Sequence, residues 1–430
     1  MRKVILILLL FSLPAIFQVK VKSKLLTNFD NPVNFNQKLM AADLATGATF
    51  GHTVAISGDT AVVGAWQDQI GQNRKQGSVY VFVKREGAWI NQAKLIAADG
   101  RRNDYFGQSV AIDGDTIVVG VPQADIGKDK DQGAVYVFER TGDNWGKQVK
   151  LEASGGRESH LFGSSVDISG DTIVVGAPGV DNYLDDKITQ AHGAAYIFTR
   201  NNDEWTEKQK IMGDSKSTAA FGLNAAISNK TAAIAAATDG PEYAIYIFSD
   251  DGTGWKKEHK ILSATDADEK ATGNGTSNNV AIDGNTLVVG GSNKSEKSNG
   301  AVYVYVRANG KWTRQAKLTP SNGTKGDLFG WSADISGDKI VIGEHFRSNQ
   351  NRGSVYLFER KMTDAGSVWT EQNIVTAPDG FMFDQFGWSV GISGDTILVG
   401  ADNQDLKQKN SNKGAAYIYT VAGNTAASAN

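Results

Sequence analysis

The sequence predicts an all-β fold, a seven-bladed β-propeller of four-stranded antiparallel blades whose ring is closed by an N-terminal strand. Three observations carry this prediction. The 430-residue chain is rich in glycine (48) and poor in proline (7), with 9 Trp and 12 Tyr among short β-branched runs, the composition of an all-β protein with many turns. One segment, FGSSVDISGDTIVVGAPG from Phe162 and then HGAAYIF ending at Phe198, recurs in seven copies. The seventh copy lacks its last strand, and a matching segment stands before the first copy.

The copies begin at Phe50, Phe106, Phe162, Phe221, a degenerate Thr276-Ser277, Phe329 and Phe386. Each holds four segments. The first is a short apolar run such as Val54-Ala55-Ile56 or Val110-Ala111-Ile112. A two-residue Gly-Asp turn follows, as at Gly58-Asp59, Gly114-Asp115, Gly170-Asp171 and Gly394-Asp395. Glycine reaches positive φ without steric cost, so this pair between β-branched runs signals a tight hairpin. The second segment is TIVVG, from Thr116, Thr172 and Thr396. The third, GAVYVF from Gly77, Gly133, Gly300, Gly353 and Gly414, alternates with period two and so presents two distinct faces. The fourth, WxxQxKL, opens at Trp89, Trp145 and Trp312, with variants from Trp205, Trp255 and Trp369. These six tryptophans are demanded by the repeat and are read as packing. One four-stranded sheet cannot bury both faces; stacking blades about an axis does. Phe35-Asn36-Gln37-Lys38-Leu39 matches the QxKL pattern, so residues 33–40 are expected to complete the last blade as its outer strand. The fourth copy departs most: Ile234-Ala235-Ala236 replaces IVVG, which predicts less apolar burial in that blade.

Outside the repeats, a basic Met1-Arg2-Lys3 precedes an apolar Val4–Ala15. That length suits a signal-peptide core and is short for a membrane span. The expected organisation is a signal peptide over 1–23, with Ala15 as another candidate cleavage position, a linker over 24–32, the propeller over 33–423 and a polar tail over 424–430. The expected product is a secreted or cell-surface monomer with no membrane span after cleavage. A net charge of −3 gives no basic face for nucleic acid. Cysteine is absent, which excludes disulfides, thiolate catalysis and cysteine-based zinc sites. Sequons stand at Asn229, Asn274, Asn293 and Asn322.

Phe162-Gly163 and Gly176-Ala177-Pro178, in their seven registered copies, resemble the FG-GAP repeat family, the propeller of integrin α-subunit heads and of many bacterial secreted proteins. The resemblance covers residues 33–423 and implies the propeller fold. It also implies ligand binding and adhesion on one face. In integrin heads several hairpins carry a DxDxDG calcium loop. Here the turns hold single aspartates (Asp59, Asp115, Asp171, Asp338, Asp395), too few oxygens for calcium. No cofactor or metal is expected.

Strand parity sorts the loops. Those after the first and third strands are short and share one side. Those after the second strand are long and variable (65–76, 121–132, 177–192, 237–243, 291–299, 344–352, 401–413) and share the other side with the loops preceding each Phe-Gly. Variable loops on a rigid scaffold are the usual layout of a binding surface. Residues on that face that the repeat does not demand include His52, Trp331 and Trp388 after Phe-Gly, and Trp66, His345 and Asp402 after Gly-Ala or its equivalent. Copies six, seven and one become neighbours on ring closure, so Trp331, His345, Trp388, His52 and Trp66 are expected in one sector near the channel mouth, and with Asp402 they are the candidate ligand-binding residues. Indole rings suit sugar rings or apolar side chains; plugging the channel or covering neighbouring loops is the alternative role.

The expected function is recognition of an extracellular protein or glycan through the long-loop face. Two alternatives stand beside it: a polysaccharide-acting hydrolase or lyase, and a structural spacer of the cell envelope. No HExxH, GxSxG or P-loop pattern occurs, and no catalytic residue is assigned. An enzyme would have to pair His52 or His345 with Asp402 or Asp384 as acid and base.

Overall fold

The structure is a computed structural model that describes residues 32–184, 187–214, 218–238, 243–262, 279–291, 299–346, 352–364, 366–403 and 412–422. The expected signal peptide, nearly all of the linker, the polar tail, Thr276-Ser277 and the sequons at Asn274 and Asn293 lie outside the described residues.

Seven four-stranded antiparallel sheets form the blades. In blade 1 the strands run Thr53–Ser57, Thr60–Ala65, Ser78–Arg85 and Ala88–Leu95, innermost to outermost. Blades 2 to 6 repeat that order, each taking its four strands from its own copy. Blade 7 takes Ser389–Ser393, Thr396–Ala401 and Ala415–Val421 from one end of the repeats and Val33–Leu39 from the other. Val33 lies opposite Val421 and Leu39 opposite Ala416, so the ring closes by a β-ladder, as the missing seventh strand required. In blade 3 the connection after the second strand folds back as a hairpin, Asp181–Leu184 with Lys187–Ala191. The repeat pattern predicts only a loop over 177–192; the stretch is long enough to pair with itself, and its sequence has no counterpart in the other copies.

The core is not central. Seven apolar clusters lie between neighbouring blades, each mixing side chains of two sheets. Phe50, Phe106, Phe162, Phe221, Phe329 and Phe386 are all 0% exposed. Each meets the third-strand tyrosine of its own blade, mostly edge-on, with ring centroids 5.1 to 5.7 Å apart. The glycines beside them answer to distance. Gly120, on the second strand of blade 2, faces the Gly163 carbonyl of blade 3, and a Cβ there would lie 2.0 Å from that oxygen. Gly77 stands the same way toward Phe106 of the next blade, at 2.1 Å. Only a residue without Cβ lets the two backbones approach this closely.

Side chains of the innermost strands complete the contacts. The hydroxyls of Thr53, Ser109, Ser165, Ser332 and Ser389 donate to the Phe-Gly carbonyl of the next blade at 2.8 to 3.0 Å. At the short-turn end a full ring of seven bonds runs blade to blade. The turn N–H of Gly58, Gly114, Gly170, Asn229, Gly284, Gly337 and Gly394 donates to Ser393, Ser57, Asp113, Ser169, Ser228, Asp283 and Ser336, at 2.7 to 3.1 Å. Blade 4 keeps the turn despite its altered sequence, because Asn229 takes the left-handed conformation (φ 53°) that glycine takes elsewhere. Its alanines Ala232, Ala233, Ala235 and Ala236 are buried and supply little area each.

The turn aspartates have a role beyond turn chemistry. Asp115, Asp171 and Asp338 accept from Arg140, Arg200 and Arg360 at 2.6 to 2.7 Å. Those guanidinium groups lie 5.1 to 5.3 Å from the ring centroids of Trp145, Trp205 and Trp369. The six outer-strand tryptophans are only 4–7% exposed, as expected of packing residues.

Two aspartates interrupt the small residues of the innermost strands. Asp167 accepts from the N–H of its neighbour Ile168 and of Ile227 in blade 4; Asp334 does the same with Ile335 and with Ile392 in blade 7. Loss of hydration between the strands outweighs these bonds and pushes Asp167 up to about 7 and Asp334 up to about 6.

Gly120→Ala should therefore destabilise the protein by on the order of 1–3 kcal/mol or more, whereas Gly146→Ala, with no atom within 4 Å of its added Cβ, should change stability by less than about 1 kcal/mol. Equal unfolding midpoints for the two variants would contradict this account of the blade contact. The raised aspartates make a second prediction. The folded state holds protons that the unfolded chain releases between about pH 4 and pH 7, so these groups reduce stability as pH rises through that window. The fall in melting temperature from pH 5 to pH 8 should be smaller in Asp167→Asn than in wild type. Identical pH slopes would refute it.

Candidate functional site

Each candidate residue sits where a blade contact ends and a long loop begins. His52, Trp331 and Trp388 directly follow the Phe-Gly pair, whose backbone is pinned: Gly51 N donates to Gly64 O at 2.9 Å, and Gly387 N to Gly400 O at 3.0 Å. Trp66, His345 and Asp402 leave the second strand one residue past the buried position that follows Gly64, Gly343 and Gly400. Both anchors belong to the buried, hydrogen-bonded contact of each blade, so the side chains are positioned from backbone already pinned there.

Ring closure brings all six together. Trp331 and His345 of blade 6 lie 4.3 Å apart between ring centroids, tilted by 57°, and each meets Trp388 of blade 7 at 4.9 Å. Trp388 lies 5.5 Å from His52 of blade 1, which lies 4.8 Å from Trp66. Trp66 in turn meets Tyr105 of blade 2 at 4.8 Å. The result is one aromatic ribbon across four blades. His345 and Asp402 are buried, and the tryptophans, His52 and Tyr105 are half-buried.

A histidine and a carboxylate are set into the ribbon as a pair. His52 Nδ1 and Asp402 Oδ2 are 3.0 Å apart. A carboxylate accepts only, so Nδ1 carries the proton and Nε2 is the free acceptor of the neutral ring. Asp402 Oδ1 and Trp66 Nε1 are buried and have no hydrogen-bond partner among the described residues. Asp384, the other carboxylate considered for an acid–base pair, instead accepts the N–H of Phe381 at 2.6 Å and caps its own loop. No group of three or more His, Asp or Glu suited to a metal ion occurs among the described residues.

Two features of this face were missed in the sequence. Tyr105 extends the ribbon from the position just before Phe106, outside the repeat-variable positions after Phe-Gly and Gly-Ala. The loop before blade 7 presents Phe381, Met382 and Phe383, at 56%, 60% and 56% exposure. Sibling loops hold Arg101-Arg102-Asn103, Arg157-Glu158-Ser159 and Thr324-Lys325-Gly326 there. Phe383 has φ 73°, where Asn103 and Ser159 have 67° and 63°. A bulky aromatic side chain is disfavoured in that conformation, so the fold gives no reason for the exchange. Asn403, next to Asp402, donates to the Phe383 carbonyl at 3.1 Å, which ties this apolar tip to the ribbon. The signal was available: the same sibling comparison, applied to this loop.

The repeat family described as FG-GAP repeat matches residues 33–82, 89–138, 145–198, 312–358 and 369–419. No curated protein matches the chain. Among solved structures, the β-propeller domain of Cps50 (Swd1) from Myceliophteria thermophila is similar with TM-score 0.52 and 10% identity, over 91% of this chain and 100% of that one. A chain of the Mitotic Checkpoint Complex is similar with TM-score 0.52 and 13% identity, over 97% and 100%. At these identities the likeness is one of fold.

Proposed function

The chain belongs to the FG-GAP repeat family, and from that premise we propose that it is a binding module whose long-loop face, at blades 6, 7 and 1, takes an extracellular protein ligand. One observation carries this reading. Among the described residues, the positions that blade geometry leaves free gather aromatic side chains in this sector, ending in the exposed Phe381–Phe383 tip. Aromatic residues and methionine are the types enriched where proteins meet. A protein ligand fits better than a glycan because neighbouring rings of the ribbon are tilted against each other by 31° to 75° and its indoles are half-buried, offering no open coplanar platform to a sugar ring. The apolar Val4–Ala15 segment supports an extracellular site of action.

Trp388→Ala, and separately the triple change of Phe381, Met382 and Phe383 to Ser, should weaken binding in a screen of extracellular proteins at least tenfold. The loop variant should melt like wild type. Retained affinity in both variants would sink the proposal, and binding confined to a glycan array would replace the protein ligand with a sugar.

A second reading, a polysaccharide-acting hydrolase or lyase, is favoured by the His52–Asp402 pair, in which a carboxylate orients an imidazole for general-base work. It predicts turnover on a polysaccharide panel that is lost in His52→Ala. Its absence from wild type eliminates this reading.

A further inference from the structure

The outer half of the blades carries a second recurring cluster, distinct from the ribbon. In blade 1 the Tyr80 hydroxyl donates to Asp43 at 2.8 Å, Lys94 pairs with Asp43 at 2.8 Å, and its ammonium lies 5.0 Å from the Tyr80 ring centroid. Blade 2 repeats this with Tyr136, Asp99 and Lys150, at 2.5, 2.8 and 5.6 Å. Blade 7 repeats it with Tyr417, Asp379 and Lys38, at 2.8, 2.7 and 5.3 Å. In blade 6 Ile374 stands for the lysine and Asn322 for the aspartate, and the Tyr356 hydroxyl lies 2.8 Å from both Asn322 and the carboxylate of Glu344. At these two positions acid and base are present together in blades 1, 2 and 7 and absent together in blade 6.

Blade 3 breaks the balance. Tyr196 is retained, and Lys210 sits 5.5 Å from its ring centroid. The acid is gone, because Gly155 occupies its position. Tyr196 is 0% exposed, and its hydroxyl has no hydrogen-bond partner among the described residues. Glu207, in the same strand as Lys210, is engaged by the N–H and hydroxyl of Ser154 at 2.8 and 2.6 Å. A Cβ added at Gly155 would meet nothing within 4 Å, and both Gly155 and Lys210 are exposed, so these two edges of the place face solvent while the Tyr196 hydroxyl itself is buried. A buried donor without an acceptor is costly. The cation over the same ring lacks the aspartate its siblings have, and desolvation holds Lys210 below the ordinary lysine range despite the opposing charge of Glu207.

We infer that blade 3 is a seat for a carboxylate supplied from outside the chain, received by the Tyr196 hydroxyl and the Lys210 ammonium where the sibling blades hold their own aspartate. The acceptor is a carboxylate rather than a neutral carbonyl because the hydroxyls of Tyr80, Tyr136, Tyr417 and, in blade 6, Tyr356 each lie 2.5 to 2.8 Å from a carboxylate oxygen. The seat is independent of the ribbon, which spans blades 6, 7, 1 and 2.

The test is a thermal-shift titration of the full chain with sodium acetate against sodium chloride at equal ionic strength. Acetate should raise the melting temperature of wild type beyond chloride. Lys210→Met should abolish the excess, and Tyr196→Phe should reduce it. N-acetylaspartate and galacturonate, run the same way, distinguish a peptide acid from a sugar acid by which gives the larger Lys210-dependent shift. Without acetate, Tyr196→Phe should melt at or above wild type, since it deletes an unmet donor. Tyr136→Phe, which deletes a donor bonded to Asp99, should melt below it. The inference is overturned if acetate and chloride act alike on wild type, if the excess persists in both variants, or if Tyr196→Phe is destabilised as much as Tyr136→Phe.

Discussion

The constraint on which this structure depends is the approach of one blade's backbone to the next. Each second strand and each Phe-Gly pair bring main-chain atoms so close that a single methyl group at Gly120 or Gly77 would collide with a carbonyl. The buried phenylalanine, the strand-one hydroxyl and the turn N–H all serve that one contact from different sides. Because it recurs around a ring, no blade is stable alone, and the ring needs its last contact as much as its first. That is why Val33–Leu39 pairs across the whole length of the chain with Ala415–Val421.

The same constraint separates scaffold from function. Residues inside the contact cannot vary without a clash, so they are alike from copy to copy and carry no information about a ligand. The residue one step beyond it is held just as firmly and is free to differ. His52, Trp331 and Trp388 are such residues, as are Trp66, His345 and Asp402. Their rigidity comes from the neighbouring glycines and their identity does not. A surface built this way is pre-organised, which limits the entropy lost on binding. The repeats also act as internal controls. An exposed Phe-Met-Phe where siblings place Arg, Glu or Asn, and a glycine where they place aspartate, both stand out against a background of identical geometry.

Most of the fold was legible in the sequence because a repeat states its geometry several times over. The Gly-Asp turns, the alternation of GAVYVF and the displaced QxKL strand each had one physical reading, and the structure bears them out. What escaped was whatever occurs once. The Asp181–Ala191 hairpin has no sibling to align with. The roles of Asp167 and Asp334 depend on N–H groups from another blade, 58 to 60 positions away in the chain. The clustering of Trp331, His345, Trp388, His52 and Trp66 followed from ring order alone. Their mutual ring contacts did not, and neither did the joining of Tyr105, because side-chain direction past a strand end is set by packing that no pattern encodes.

The central claim is that this protein meets its ligand on the long-loop face, at the junction of the last blades with the first. Hydrogen–deuterium exchange of the ring, free and saturated with a protein ligand from the binding screen, tests it most directly. Protection should concentrate at residues 328–332, 381–389 and 49–53. Protection centred on the short turns at Gly58, Gly114 and Gly170, with the long-loop face unchanged, would contradict it.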